Sequence, residues 1–145
     1  MKKRSNIKIL LAGLQSVVIL LAVAGCQKES LDIQGPYRIK LSAAPVSAVL
    51  KVGEQTKVYM NLQTDSYYSE TGYRLVFYQQ TGLGRLSTMD SVAVPQKVPV
   101  PLALGRSSCF FTPAAVGNNQ IVLVAQQERG FTQSDTVRLT FNVIP

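Results

Sequence analysis

The sequence predicts an all-β protein behind a cleaved N-terminal signal peptide. Two observations carry this expectation. Beyond residue 36, apolar and polar residues alternate with a period of two, as they do in strands whose side chains point to opposite faces. Glycine-, proline- and asparagine-containing breaks separate these stretches, and none of them shows a capped helical period.

The N-terminus is an export signal in three parts. Met1-Lys2-Lys3-Arg4 is a compact basic start, joined by Lys8. From Ile9 to Ala24 the chain is uncharged and rich in Leu, Val, Ile and Ala, somewhat short of the ~20 apolar residues that a spanning helix needs. It ends in Val23-Ala24-Gly25-Cys26, which has the form of a lipobox. Small residues at Ala24 and Gly25 let an extended backbone enter a peptidase, and Cys26 offers a thiol for alkylation by a diacylglyceryl group. Cleavage is expected between Gly25 and Cys26. The usual Leu three residues before the Cys is Val23 here. An ordinary signal cut elsewhere, or an uncleaved anchor helix, is the plainer alternative.

Removal of the signal changes the electrostatics. Four of the 15 basic residues, Lys2, Lys3, Arg4 and Lys8, lie in it, and none of the eight acidic ones, so the net charge falls from +7 to +3. The remaining basic residues are scattered along the chain, without the basic stripe of a nucleic-acid-binding domain, and no direct nucleic-acid contact is expected. Residues 26–36 are mostly polar and close in Gly35-Pro36, which predicts a lipidated Cys and a flexible tether. Residues 37–145 are then long enough for one domain with a core.

Within that domain Tyr37, Ile39 and Leu41 alternate with Arg38 and Lys40. Val58, Met60 and Leu62 alternate with Lys57, Tyr59 and Asn61. Val137, Leu139, Phe141 and Val143 alternate with Arg138, Thr140 and Asn142. Two stretches, Tyr73 to Tyr78 and Ile121 to Ala125, are apolar on both faces and suit the middle of a sheet. Gly84 to Met89 and Ser107 to Thr112 are shorter candidates. About seven short strands in this length predict an immunoglobulin-like antiparallel β-sandwich. The chain has no Trp and no cysteine pair for an inter-sheet disulfide, which excludes the antibody type.

Val92 to Leu104 carries Pro95, Pro99 and Pro101 and cannot lie inside a sheet. It is expected at an edge or as a crossing between sheets. There it either offers an apolar docking strip or guards an edge against aggregation.

The chemistry is as informative for what is missing. There is no His, the eight acids are dispersed, and Thr81-Gly82-Leu83-Gly84-Arg85 lacks the Lys and Ser/Thr of a phosphate loop, so a hairpin turn is expected there. No catalytic, metal or cofactor site is expected, beyond the covalent diacylglyceryl and N-acyl lipid on Cys26. Cys109, inside Cys109-Phe110-Phe111, reads as a small buried hydrophobe, with a redox role as the alternative. Tyr67 and Tyr68 are candidate contact residues, as interface anchors or as a stacking platform for a sugar ring, with packing across a sheet face as the plainer alternative.

Several segments in order, Leu31-Asp32-Ile33-Gln34 after the lipobox, Gly72-Tyr73 through Phe77-Tyr78-Gln79-Gln80-Thr81-Gly82-Leu83-Gly84, Phe110-Phe111-Thr112 and Leu139-Thr140-Phe141-Asn142, resemble the small Bacteroidetes lipoprotein family of the conjugative transposon protein TraQ. The chain departs from that pattern in lacking an acid before Gly82 and in the number of prolines between Val92 and Leu104. The resemblance spans nearly the whole chain. It implies a non-enzymatic accessory component of a conjugative DNA-transfer apparatus, whose partners are other proteins of that apparatus and the membrane that holds the lipid. It carries over no catalytic or ligand residues. The segment Gln27-Lys28-Glu29-Ser30 lacks the acidic run that sends some lipoproteins of this phylum to the cell surface. The expected place is therefore the periplasmic face of the outer membrane, with the cell surface as the alternative. The rival function is a ligand-binding lipoprotein of carbohydrate-binding type.

Overall fold

Among the described residues, the stretches of period-two alternation form strands; Tyr37 of the first lies outside them. The computed structural model describes residues 38–65, 72–128 and 133–145. Among them are ten strands: β1 (Ile39–Pro45), β2 (Val49–Lys51), β3 (Thr56–Thr64), β4 (Tyr73–Thr81), β5 (Gly84–Ser87), β6 (Ala93–Val94), β7 (Val100–Leu102), β8 (Gly105–Pro113), β9 (Gly117–Gln127) and β10 (Ser134–Ile144). Seven have four or more residues, and these correspond to the seven expected. The other three, β2, β6 and β7, are edge pieces of two or three residues, too short for periodicity to reveal.

The strands form a sandwich of two five-stranded sheets, ordered β1-β3-β8-β5-β6 and β2-β10-β9-β4-β7. β9 lies between β10 and β4, and β4 between β9 and β7, so both doubly apolar stretches are interior strands as predicted. Leu75, Val76 and Phe77 are all buried, whereas along β9 buried Ile121, Leu123 and Ala125 alternate with half-buried Val122 and Val124.

The core joins the two inner faces. Val58, Met60 and Leu62 of β3 and Phe111 of β8 face Phe77 of β4, Leu123 of β9 and Phe141 of β10. Phe111 and Phe141 stack across the sandwich, centroids 4.6 Å apart and planes at 24°. Each contributes about 2–3 kcal/mol by leaving water.

The chain's first corner ties the sheets together. β1 pairs β3 antiparallel, then Val46 to Ala48 cross over and β2 runs parallel to β10. Val46 N–H donates to the Lys57 carbonyl (2.8 Å) and Asn142 N–H to the Ala48 carbonyl (2.8 Å). Among the described residues this is the one parallel ladder between strands, and it makes the β2 sheet mixed; the other ladders are antiparallel, as expected. On the same side Asp135 of β10 accepts a hydrogen bond from Leu41 N–H of β1 (2.7 Å). A carboxylate thus occupies an edge donor that would otherwise invite another strand.

The glycine turn departs from expectation. Gly82 and Leu83 join β4 of one sheet to β5 of the other, so this is a crossing and not a hairpin. Gly82 has φ +73, and a Cβ there would lie 2.0 Å from Oδ1 of the buried Asn119. Glycine is required on both counts.

Candidate interaction surfaces

The structure separates the sequence-predicted candidates. Gly25 and Cys26, and likewise Tyr67 and Tyr68 in the connection from β3 to β4, lie outside the described residues. Pro95, Pro99 and Pro101 are described, and all three are exposed. Their segment is both of the things expected of it. β6 is the outer strand of one sheet, β7 of the other, and the chain crosses between them. Gln96 makes a parallel bridge with Phe77, and Lys97, with φ 63, donates its N–H to the Phe77 carbonyl (2.8 Å). Pro101 stands on an edge strand in register with Arg74, where a sheet tolerates a residue without an N–H.

A surface the sequence did not single out lies on the outer face of the β1-β3-β8-β5 sheet. Residues in register share a face, so the ladders place its side chains level by level. Arg85 is opposite Thr112, and Lys57 opposite Phe110. Tyr59 lies between Ala44 and Ser108, Asn61 between Ser42 and Arg106, and Lys40 opposite Gln63. Tyr59 is 54% exposed, and the Lys57 ammonium sits 5.0 Å from its ring centroid. A shallow groove of about 440 Å³ is lined by Ser42, Ala44, Tyr59, Asn61 and Arg106, among others. Lys40, Lys57, Arg85 and Arg106 make no ion pair among the described residues. The alternation in β3 shows Lys57, Tyr59 and Asn61 sharing a face. Bringing Arg85, Arg106 and Lys40 beside them depends on pairings that sequence periodicity does not contain.

The two ends of the sandwich differ as well. The described chain enters at Arg38, whose N–H donates to Asp65 Oδ1 (2.6 Å), at the end that also holds the turn from β7 to β8. The opposite end carries exposed Val46 (65%), Leu83 (64%), Val116 (58%) and Val52 (42%). Its turns are stitched together by Gly53 N–H to the Pro113 carbonyl (2.9 Å), Ala114 N–H to the Leu83 carbonyl (2.7 Å) and Val52 N–H to the Ile144 carbonyl (3.1 Å).

Cys109 is buried, as a small hydrophobe would be, and desolvation pushes its thiol up to about 12. At neutral pH it is a protonated, inert thiol. Among the described residues no three His, Cys, Asp or Glu side chains gather as a metal site would need.

Residues 9–143 match the profile of a family described as TraQ conjugal transfer protein. Three solved structures share the fold. A lipoprotein from Bacteroides thetaiotaomicron superposes with a TM-score of 0.64 at 26% identity, over 79% of this chain and 86% of that one. A conjugative transposon lipoprotein from Bacteroides eggerthii gives 0.60 at 19% identity, over 75% and 99%. A conjugate transposon protein from Bacteroides vulgatus gives 0.59 at 22% identity, over 79% and 91%. No curated protein matches the chain at a significant level.

Proposed function

The chain belongs to the TraQ conjugal transfer family, and on that premise we propose that it is a non-enzymatic, membrane-tethered accessory component of a conjugative DNA-transfer apparatus, acting through protein–protein contacts. The observation that carries this reading is the extent of the family match, from the apolar N-terminal segment to the last strand. The B. thetaiotaomicron and B. eggerthii proteins are lipoproteins, which supports assigning the lipid to Cys26. The order β1-β3-β8-β5 against β10-β9-β4 supports an immunoglobulin-like sandwich, a fold that hosts many recognition domains.

In this reading Cys26 carries a diacylglyceryl group and an N-acyl chain. One acyl chain binds a bilayer only marginally, at about 10⁴ M⁻¹, so several make the attachment effectively permanent. Residues 26–37 then span at most about 40 Å of extended chain before β1 begins. The domain is held at the periplasmic face of the outer membrane, with its Val46–Leu83–Val116 end opposite to where the tether joins.

Conjugation frequency tests this reading. Deleting the chain, or replacing Cys26 by Ala while the soluble domain is still made, is expected to reduce transfer. Unchanged frequency in both strains overturns it.

A further inference from the structure

We infer that the outer face of the β1-β3-β8-β5 sheet is a docking surface for an extended acidic segment of a partner protein, with carboxylates at alternate positions. The inference rests on the protein-contact reading above and adds to it a surface and a partner chemistry.

Charge comes first. Arg85, Lys57, Arg106 and Lys40 occupy four of five successive levels of this face, and Tyr59 occupies the fifth, between Lys57 and Arg106. The described acids at its margins are Asp65, whose carboxylate caps Arg38 N–H, and Asp90, in the connection from β5 to β6. With them are Asp135, which accepts from Leu41 N–H at the β1 edge, and Glu54, which accepts from Lys51 N–H in the turn before β3. No described acid stands at any of the five levels. Charges on a folded surface are usually interspersed in sign, and a one-signed ribbon steers an oppositely charged partner.

Spacing comes second. Levels on one face of a sheet repeat every two residues, about 6.7 Å, so the five span about 27 Å. One face of an extended peptide lying along the strands repeats at that same distance. Alternate carboxylates on such a peptide therefore fall level with Arg85, Lys57, Arg106 and Lys40, with the Tyr59 level between Lys57 and Arg106, whereas a compact anion meets one or two cations.

Shape comes third. Ser42 and Ala44 are small, so the β1 side of the face is a groove beside the exposed Tyr59 ring, with Asn61 to bond a peptide backbone, while on the other side Met89 lies on the Ser108 hydroxyl. The ring and the aliphatic stems of Lys57 and Arg106 cover the apolar parts of such a peptide.

The test uses the full chain in detergent and a labelled peptide of about ten residues alternating Glu and Thr. Binding is expected to weaken steeply from about 50 to about 300 mM salt. It should fall about tenfold or more in Lys40→Glu/Arg106→Glu, while Lys40→Arg/Arg106→Lys keeps it. Arg138→Glu, on the other sheet, should leave it unchanged. Equal melting temperatures show that each variant is folded. Four results overturn the inference: no preference over an all-Thr peptide, equal binding of a peptide with its Glu residues in one block, loss on Arg138→Glu, or tighter binding to oligo-dT or to phosphatidylglycerol vesicles. If peptide binding fails but deleting the chain still abolishes transfer, the surface is wrong and the function stands. If peptide binding holds and deletion leaves transfer unchanged, the function is wrong.

Discussion

The two outer faces of the sandwich come from similar alternating strands and differ in almost every respect. On the β1-β3-β8-β5 sheet the outward positions hold Lys40, Lys57, Arg85 and Arg106 around the exposed Tyr59, and these cations make no ion pair among the described residues. On the other sheet Arg74 is paired with Glu128. Beside it run Val76 (2% exposed), Tyr78, Val122 and Val124, an apolar stripe along β4 and β9. One face therefore gathers four unpaired cations around an exposed Tyr; the other pairs Arg74 with Glu128, leaves Arg138 unpaired among the described residues, and runs valine through its middle. An uncompensated ribbon is the feature that calls for a partner.

Several substitutions break or sharpen that contrast. The largest effect is expected where both faces depend on the shared core. Phe141→Ala removes one half of the Phe111–Phe141 stack and should cost about 3–5 kcal/mol in urea unfolding. Both faces should be lost in one transition. Separate transitions for the two sheets would show that they are less coupled than their common core implies.

Asp135→Ala acts on one side of the sandwich, where the carboxylate bridges β10 to Leu41 N–H of β1. It should cost about 1–2 kcal/mol and accelerate amide exchange along β1 more than along β9. Uniform acceleration would mean that the bridge does not hold β1 in particular.

Cys109 lies beneath the basic face, between Ser108 and Phe110 of β8. Its thiol is raised from 9.0 to about 12, so it stays protonated in the folded chain after the unfolded chain has begun to ionise. The sign follows: stability is unaffected below pH 9 and falls as pH rises from 9 towards 12. The loss at pH 10 relative to pH 7 is about 1.4 kcal/mol. Denaturant midpoints of the native chain and Cys109→Ala should therefore converge as pH rises, and parallel curves would contradict the burial argument. The smallest effect is expected from Arg74→Gln. That exposed pair contributes at most about 0.5 kcal/mol, so the midpoint should barely move.

Much of the architecture is legible from residue patterns. The interior placement of β4 and β9 follows from their apolar residues on both faces. The buried rows Val58-Met60-Leu62 and Leu139-Phe141-Val143 follow from alternation. The edge and crossing character of Pro95 to Pro101 follows from the N–H groups that proline lacks. Illegible were β2, β6 and β7, which at two or three residues are too short for an alternation to repeat. Equally hidden was the destination of the Gly82–Leu83 turn. A positive φ explains why glycine stands there, yet a hairpin and an inter-sheet crossing call for the same residue.

Where apolar and polar residues alternate, as in β1, β3 and β10, the sequence by itself determined which side chains face inward, because a period of two admits only two faces and water selects between them. It also determined the expected role of Cys26, because maturation reads a local tetrapeptide. Only the tertiary structure decided which outward residues become neighbours. Lys40, Lys57, Arg85 and Arg106 belong to four different strands, and their single ribbon exists because register pairs β1 with β3, β3 with β8 and β8 with β5. Pairing register is a long-range property, set by the core contacts of the whole sandwich, and a surface built from it cannot be read along the chain.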